Sequence, residues 1–238
     1  MEKFFSDAAA AADVPRLWQV LLDHLAFFDV TRVTAVHLPP VGAPDANRSR
    51  VRSIGYPEDW IFKYVGHLHE DDPMPSQANA QAKPFRWSDI ASLRELTDAQ
   101  TTFLIAFDAV NEGRDGLAVP VFGPNGRNGY LGLAFPERGQ EPPPEVLHIL
   151  QVSVQYAHQC FCGLIVLDLP DHPALSPREI EVLNWMAQGK SNSVIADIVG
   201  VRANTVDTHI RRIFAKLGVT DRVSAVLAGL GEGIIKLR

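Results

Sequence analysis

Three prolines within eight residues, Pro170, Pro173 and Pro177, divide the sequence into a long N-terminal part and a short C-terminal part. Proline removes a helical hydrogen bond and clashes with the preceding turn, so the helical pattern before this segment cannot continue through it. The chain has 238 residues, which is more than most single domains contain. We therefore predict two domains, 1–167 and 175–238, joined by a linker at 168–174.

The formal charge is distributed unevenly between the two parts. Residues 174–238 contain nine Lys/Arg and six Asp/Glu, a net charge of +3, although the whole chain has a net charge of −6. The remaining residues therefore have a net charge of −9. A basic segment on an acidic chain indicates that only the C-terminal part binds a polyanion.

The N-terminal part contains both helical and strand patterns. A helical pattern at 14–28 precedes short strand-like runs, and a long helix-like segment ends this part at 145–167. The turn-rich segment GPNGRNG predicts a hairpin between the last two strands. The predicted strands lie at 31–38, 50–56, 115–123 and 128–135. A hairpin in a chain that also forms helices predicts an α-β-α sandwich with an antiparallel sheet.

The C-terminal part has the pattern of four short helices. Ser176 and Glu179 form a predicted capping box at the start of the first helix, and Gly189 provides its C-terminal stop. Further helices are predicted at 191–201, 204–217 and 221–233. Two of these helices are joined by a tight glycine-containing turn, which predicts a helix-turn-helix motif. The predicted fold class is therefore α+β, with an all-α four-helix domain at the C-terminus.

The segment NTVDTHIRRIFAKL, residues 204–217, is both amphipathic and basic. Its apolar residues fall on one narrow stripe at helical spacing: Val206, Ile210, Ile213, Phe214 and Leu217. An isolated segment of this kind is more often a solvated helix than a binding element. The neighbouring helices favour the second interpretation, because the second helix of a helix-turn-helix motif enters the major groove of DNA.

The C-terminal motifs resemble the DNA-binding domain of the LuxR family of bacterial regulators. The matching segments are LSPREIEVL, QGKS, VIADIVGV, NTVDTHIRRIFAKLGV and RVSAV. The resemblance implies two groups of DNA-contacting residues. Those facing base edges are Asp207, Thr208 and Arg211, and those near phosphates are Thr205, His209, Arg212 and Lys216. Arg202 stands where the family often has a serine cap, so we expect the helix cap at Asn204 instead.

Aromatic residues in the N-terminal part point to a second site. Tyr56, Trp60 and Tyr64 are spaced four apart, which predicts that they share one side of a helix beginning at Pro57. A stripe of this kind usually belongs to a core. Here it ends in the charged sequence HEDDP, and acidic groups beside large aromatics suit a pocket for a mostly apolar ligand.

This region resembles the acyl-homoserine lactone receptors of quorum sensing. The shared pattern is Tyr-Pro-x-x-Trp-x-x-x-Tyr, then Asp-Pro, then Pro-x-x-Trp. The resemblance implies that Trp60 donates to the lactone carbonyl, that Asp72 accepts the ligand amide N–H, and that Tyr56 binds the amide carbonyl. It also implies a wall formed by Tyr64 and Trp87, close packing at Gly113, and an apolar Ala134 where several relatives have Ser or Thr. The Tyr64–Asp72 spacing is one residue shorter than usual, which leaves Asp71 as an alternative acceptor.

Other classes of protein fit the sequence less well. The segment HLHEDD (67–72) has metal-ligating residue types, but no second ligand group accompanies it, so we predict no metal and no cofactor. Cys160 and Cys162 are expected in the core or at its boundary. The sequence contains no G-x-S-x-G motif or P-loop, so we predict no enzymatic activity. The hairpin argues against a phosphorylated response regulator, whereas a PAS- or GAF-like sensor of another small molecule or a protein partner remains an alternative.

The expected partners are double-stranded DNA, a small-molecule autoinducer and a second copy of the chain. We predict a homodimer that binds an inverted repeat, with half-sites about ten base pairs apart or a multiple of this. The predicted dimer surfaces are the helices at 145–167 and 221–233. Asp7 and Asp13 interrupt the start of the chain, and the longest apolar run, 160–167, is too short to cross a bilayer. These features predict a cytoplasmic protein without membrane association.

Overall fold

The computed structural model describes residues 1–46, 50–136, 142–167 and 174–236. Within these residues the chain forms two compact units. The first contains residues 1–38, 50–123, 127–136 and 142–167, and the second contains residues 174–236 with the short segments 39–46 and 124–126. The predicted linker lies outside the described residues except for Ala174.

A five-stranded antiparallel sheet forms the centre of the first unit. Its strands are β1 (Arg32–Leu38), β2 (Arg50–Ile54), β3 (Phe85–Arg86), β4 (Gly116–Val121) and β5 (Asn128–Ala134). Their order across the sheet is β2-β1-β5-β4-β3. The four predicted strands and the β4–β5 hairpin are confirmed. The hairpin turn contains Asn125 and Gly126 with φ of 56° and 77°, a region that asparagine and glycine adopt most readily.

Helices cover both faces of this sheet, as the sequence predicts. They are α1 (Glu2–Ala9), α2 (Val14–Ala26), α3 (Glu58–Gly66), α4 (Pro73–Ala80), α5 (Ile90–Leu93), α6 (Asp98–Val110) and α7 (Pro144–Leu167). Side chains alternate along β4, so Leu117 and Val119 join the core beneath α1, α2 and α7, whereas Ala118 faces a second core with Met74 of α4. The sequence analysis gives no bounds for helices α1, α4, α5 and α6 or for strand β3.

Helix α7 is a long apolar helix of the first unit. By length and composition alone, Pro144–Val166 is apolar enough to cross a membrane, and it is the one such helix among the described residues. In the structure this helix packs against α1, α2 and β4 of the first unit. Leu150, Val154 and Ile165 of this helix are fully buried.

Four helices form the second unit around their own apolar core. They are α8 (Pro177–Ala187), α9 (Asn192–Val199), α10 (Ala203–Leu217) and α11 (Arg222–Gly231). The predicted capping box is confirmed, since the Ser176 hydroxyl accepts from the Glu179 N–H and the Glu179 carboxylate accepts from the Ser176 N–H. The core is formed by residues from all four helices, including Leu183, Ile195, Val206, Ile213 and Ala225. The α+β fold class is thereby confirmed.

The predicted cap of α10 at Asn204 is wrong. Helix α9 ends at Val199, and its C-cap Gly200 has a φ of 69° that reverses the chain. Arg202 then takes the extended N-cap conformation without a side-chain hydrogen bond. Asn204 is already the second residue of the helix. The start of α10 is therefore fixed by the turn after Gly200 and not by a polar cap.

Candidate functional site

A small pocket lies between the sheet and helices α3, α4 and α6 of the first unit. Five predicted ligand-binding residues line it together: Tyr56, Trp60, Tyr64, Asp72 and Trp87. The remaining lining residues are Thr34, Val51, Ile61, Met74, Phe107, Tyr130 and Gly132. The free volume is about 20 Å³, which is room for about one water molecule.

The three predicted aromatic residues all line the pocket, but only two of them lie on the predicted helix. Trp60 and Tyr64 lie on α3 and are buried. Tyr56 lies outside the helix, because Pro57 is its N-cap and a residue before proline is disfavoured in the helical conformation. The prediction that all three share one helical side is therefore wrong for Tyr56, although its side chain still lines the same pocket.

Asp72 is a buried acceptor at the centre of the pocket. Its Oδ2 accepts hydrogen bonds from the hydroxyls of Tyr64 at 2.7 Å and Tyr130 at 3.2 Å, and its Oδ1 accepts from the Met74 N–H at 2.8 Å. The last bond makes Asp72 the N-cap of α4, which fixes the carboxylate in place. Burial raises the pKa of Asp72 to about 6, although these three hydrogen bonds lower it. Asp71 does not line the pocket.

Tyr56 and Trp60 are two hydrogen-bond donors that line the same, largely aromatic pocket as Asp72. The Tyr56 hydroxyl is buried and has no hydrogen-bond partner of normal geometry within the described chain. Trp60 carries an indole N–H, which can only donate. The ring of Phe107 from α6 lies 4.9 Å from Trp87 and 6.1 Å from Trp60, between centroids. One acceptor and two donors in an apolar site suit a ligand with an amide and carbonyl groups.

Two predicted residues lie outside the lining of this pocket. Gly113 lines an adjacent cavity of about 410 Å³, which shares Met74, Trp87 and Phe107 with the first pocket. Its φ of 69° gives a conformational reason for glycine at this position. Ala134 is fully buried in the neighbouring core, and Gly132, two residues earlier on the same face of β5, lines the pocket instead.

Tyr130, Gly132, Thr34 and Phe107 were not predicted as pocket residues. Thr34 and Gly132 are cross-strand partners on β1 and β5, and they form the floor of the pocket. Phe107 comes from α6, which also provides Phe103 to the aromatic cluster. The alternation along β5 indicates that residues 130, 132 and 134 share a face. Only the packing shows that this face is the one towards the pocket.

Metal-ligating side chains meet at a different place from the predicted candidate segment. Among the described residues, His37, His158 and Cys162 are buried with their ligating atoms within 4.8 Å of one another. Cys162 Sγ lies 3.5 Å from His158 Nε2. His158 Nε2 lies 2.8 Å from the Arg127 carbonyl, and burial lowers the pKa of His158 to about 4. This geometry is that of a hydrogen-bonded core cluster.

The second unit presents α10 as the second helix of the helix-turn-helix motif. Its inward stripe is buried as predicted at Val206, Ile210, Ile213 and Leu217. The predicted DNA-contacting residues differ in exposure. Thr205, Arg211 and Arg212 are exposed, and Asp207, Thr208, His209 and Lys216 are half-buried. Two exposed arginines on one helix provide charge for phosphates and a planar donor group for base edges.

Several of these side chains already have partners within the unit. Asp207 Oδ1 accepts from Asn192 of α9 at 2.8 Å, and the amide oxygen of Asn192 accepts from Arg222 of α11. The Thr208 hydroxyl bonds the carbonyl of Asn204. Asp207 is therefore held in a network that connects α9, α10 and α11, which fixes the orientation of the proposed reading helix.

Lys216 makes the shortest side-chain contact described for the predicted DNA-binding residues. Its Nζ lies 2.7 Å from Glu179 Oε2 and 3.0 Å from the carbonyl oxygen of Ala174. The Glu179 side chain is only 3% exposed. Lys216 therefore neutralises a buried carboxylate, and its predicted phosphate contact competes with this role.

An aromatic pocket with a buried acidic group at its centre and a helix-turn-helix motif on one chain are the features of a ligand-responsive transcriptional regulator. Two family models match the sequence: residues 13–161 match the autoinducer binding domain, and residues 173–228 match the bacterial regulatory proteins of the luxR family. The chain belongs to the LuxR family of bacterial transcriptional regulators with an autoinducer-binding domain.

Curated relatives are similar over most of this chain. The quorum sensing-dependent regulator RpaR of Rhodopseudomonas palustris is 30% identical over 189 residues, which cover 77% of this chain and 74% of RpaR. The transcriptional activator AhyR of Aeromonas hydrophila is 28% identical over 184 residues, with 75% and 71% covered. An HTH-type regulator of Sinorhizobium fredii is 30% identical over 188 residues, but the chain spans only 56% of that protein.

Solved structures show the same fold. Escherichia coli SdiA superposes with a TM-score of 0.70 at 21% identity, and the match covers 93% of this chain and 92% of SdiA. A second SdiA structure, in complex with octanoyl-rac-glycerol, has a TM-score of 0.70 at 19% identity. At this level of identity the comparison establishes the architecture and not the ligand.

Proposed function

We propose that this regulator binds an N-acyl-homoserine lactone and controls transcription as a homodimer on an inverted repeat. The observation that carries the proposal is the composition of the pocket, in which the buried acceptor Asp72 and the donors Trp60 and Tyr56 line one aromatic enclosure. An acyl-homoserine lactone has one amide N–H, one amide carbonyl and one lactone carbonyl. Each polar group of the ligand thus has a partner of the correct type.

Trp60→Phe tests the ligand class directly. The ring is retained while the indole N–H is lost, which leaves the buried lactone carbonyl without a donor. Lactone affinity should fall by about 1–2 kcal/mol, roughly tenfold, in isothermal titration calorimetry of the full chain. Trp18→Phe is the matched control, because Trp18 lies on α2 against the other core of the first unit. Equal affinities for the wild type and Trp60→Phe would contradict the proposed donor role.

An apolar ligand without a lactone ring is the second candidate. The pocket interior is mostly aromatic, and the structural neighbour SdiA has been solved with octanoyl-rac-glycerol. The calorimetric series therefore includes octanoyl-rac-glycerol beside the lactones. Binding of the glycerol ester alone would replace the lactone in this proposal, and the DNA-binding half would be unaffected.

We propose that Arg211 recognises a base and that Arg212 binds the phosphate backbone. Both are exposed on α10, and the Arg211 Nε makes one long bond of 3.4 Å to the Asp207 carbonyl. Arg211→Ala should weaken binding to the cognate site by about 1–2 kcal/mol and relax preference at one position of each half-site. Arg212→Ala should weaken all sequences alike and reduce the salt dependence. Fluorescence anisotropy on cognate and scrambled duplexes measures the DNA affinity of both variants and its salt dependence. Identical results for the two variants would contradict the separate roles of Arg211 and Arg212.

The remaining features of the proposal follow from the family and the fold. We propose domain boundaries at 1–167 and 175–238, dimer contacts through α7 and α11, and a cytoplasmic location without membrane association. The exposed Val152 and Val166 of α7 support a contact surface on this helix. The family consists of transcriptional regulators, and we propose a non-enzymatic function without a cofactor.

A further inference from the structure

Arg32 connects separate segments of the chain beside the pocket. It is the first residue of β1 and lies on the same face of that strand as Thr34, which lines the pocket. Its side chain is only 12% exposed, although arginine is mostly an exposed residue. A charged group that is nearly buried requires partners, and these partners show what Arg32 holds in place.

The first partner of Arg32 is the C-terminal end of α6. One guanidinium nitrogen, Nη1, donates to the Val110 carbonyl at 2.7 Å, and the other, Nη2, lies 2.9 Å from Glu112 Oε1. Val110 is the last residue of α6, where carbonyl groups have no partner within the helix and attract a cation. The same helix carries Phe107, whose ring lies 6.4 Å from the Tyr56 ring between centroids. Arg32 therefore fixes the end of a helix that forms part of the pocket lining.

The second partner of Arg32 is the ring of Tyr56. The guanidinium carbon lies 5.4 Å from the ring centroid, which is within the range of a cation–π contact. Gly55 makes this approach possible, because a Cβ at that position would lie 2.7 Å from Arg32 Cγ. The φ of 83° at Gly55 also favours glycine there. The backbone before Tyr56 therefore leaves room for the arginine stem.

The cation–π contact acts on a pocket donor that is available to a ligand. The Tyr56 hydroxyl is buried and has no hydrogen-bond partner of normal geometry within the described chain. Burial raises the pKa of Tyr56 above its ordinary value, whereas the charge of Arg32 lowers it. The positive charge therefore polarises the O–H bond and makes the hydroxyl a stronger donor. A contact that restrains the ring also fixes the direction of this hydroxyl.

We propose that Arg32 is a positioning residue that holds the Tyr56 ring and directs its hydroxyl to the amide carbonyl of the ligand. This inference rests on the proposed function, in which Tyr56 binds that carbonyl. Arg32 does not line the pocket, so it acts on the ligand only through Tyr56. Because the ring is already oriented before the ligand arrives, less conformational freedom is lost on binding.

A double-mutant cycle with Tyr56→Phe tests the coupling between the two residues. Isothermal titration calorimetry of the full chain with butanoyl-, octanoyl- and dodecanoyl-homoserine lactone first identifies the compound that wild type binds most tightly. Arg32→Met keeps an apolar stem and removes the charge, and it should lower the affinity for that compound about tenfold. In the Tyr56→Phe background, the same substitution should change the affinity by less than about twofold.

Arg52→Met is the matched control, because Arg52 is an exposed arginine of the neighbouring strand β2 and does not line this pocket. Its lactone affinity should equal that of wild type. Arg32→Lys keeps the cation and is the second variant should the methionine variant be poorly folded. Its loss should be smaller, about threefold, and should also require the Tyr56 hydroxyl.

Two results would overturn the inference and leave the proposed function standing. In the first, Arg32→Met binds the lactone as tightly as wild type does. In the second, Arg32→Met or Arg32→Lys causes the same loss with and without the Tyr56 hydroxyl, which would assign Arg32 to the fold alone. Wild type that binds none of the three lactones would overturn the proposed function itself.

Discussion

Lys216→Ala is expected to destabilise the second unit by about 2–3 kcal/mol. The Lys216 ammonium lies 2.7 Å from the carboxylate of Glu179, which is 3% exposed. Removing one member of a fully buried ion pair costs about 3–5 kcal/mol, because the other charge stays buried without its partner. The expected value is lower here because the Lys216 side chain is 28% exposed and water can approach it.

The same contact predicts a pH dependence. Burial raises the pKa of Glu179, but hydrogen bonds from Lys216 and Ser176 outweigh burial and hold the pKa below its usual value. A carboxyl with a lowered folded-state pKa contributes stability above its unfolded pKa and loses it as the pH falls through the folded pKa. Wild type should therefore lose stability on acidification below about pH 4.5, and Lys216→Ala should lose less.

Urea denaturation of the full chain, with hydrogen exchange to locate the change in residues 174–236, measures this effect. Lys190→Ala is the matched control, because Lys190 is an exposed lysine of the same unit. Its stability should equal that of wild type. Unchanged stability of Lys216→Ala, with weaker DNA binding on all sequences, would instead assign Lys216 to the phosphate backbone alone.

The second unit illustrates which features can be predicted from sequence. The stripe of α10 and the Ser176–Glu179 capping box depend on residues three to four apart, so a local pattern contains the information. The Lys216–Glu179 pair joins residues 37 positions apart. Only the packing of α8 against α10 brings them together, and the resemblance to relatives suggested a phosphate contact for Lys216 instead.

In the pocket, too, local patterns are predictable from the sequence and contacts between distant residues are not. Trp60 and Tyr64 were predicted because helical spacing and a family motif agree. Spacing alone places Tyr56 on the helix, but the restriction that Pro57 imposes on its predecessor keeps Tyr56 outside it. Tyr130 is 58 residues from Asp72 and looks like an ordinary strand aromatic in the sequence. Strand β3 has only two residues, too few for a period-two pattern to be recognised.

Asp72→Asn is expected to reduce lactone affinity by about 2–3 kcal/mol, which is about 30-fold to about 150-fold. The amide oxygen of asparagine can still cap α4 through the Met74 N–H, so the fold should survive. The loss arises because a neutral acceptor replaces a charge-assisted one, and because an N–H group of the new side chain is turned towards the ligand or towards the Tyr64 and Tyr130 hydroxyls.

The matched control for this substitution is Asp71→Asn. Asp71 is the neighbouring carboxylate, is half-buried, and does not line the pocket. Asp71→Asn removes one negative charge, as Asp72→Asn does, but leaves the proposed acceptor unchanged. The lactone affinity of Asp71→Asn should therefore equal that of wild type. Equal losses in the two variants would show a general effect of charge, and a loss confined to Asp71→Asn would transfer the acceptor role to that residue.

The pH dependence of binding tests the charge of Asp72 separately from its shape. Burial raises the pKa of Asp72 to about 6, so in the ligand-free protein this group contributes stability at low pH that is lost as the pH rises through about 6. Ligand binding should have the opposite dependence, because the amide N–H prefers the ionised carboxylate. Lactone affinity of wild type should therefore fall between about pH 7.5 and about pH 5, whereas Asp72→Asn should bind weakly and equally across this range. Calorimetric titrations of both proteins at each pH measure the difference, and parallel profiles would mean that Asp72 does not change its charge in this range.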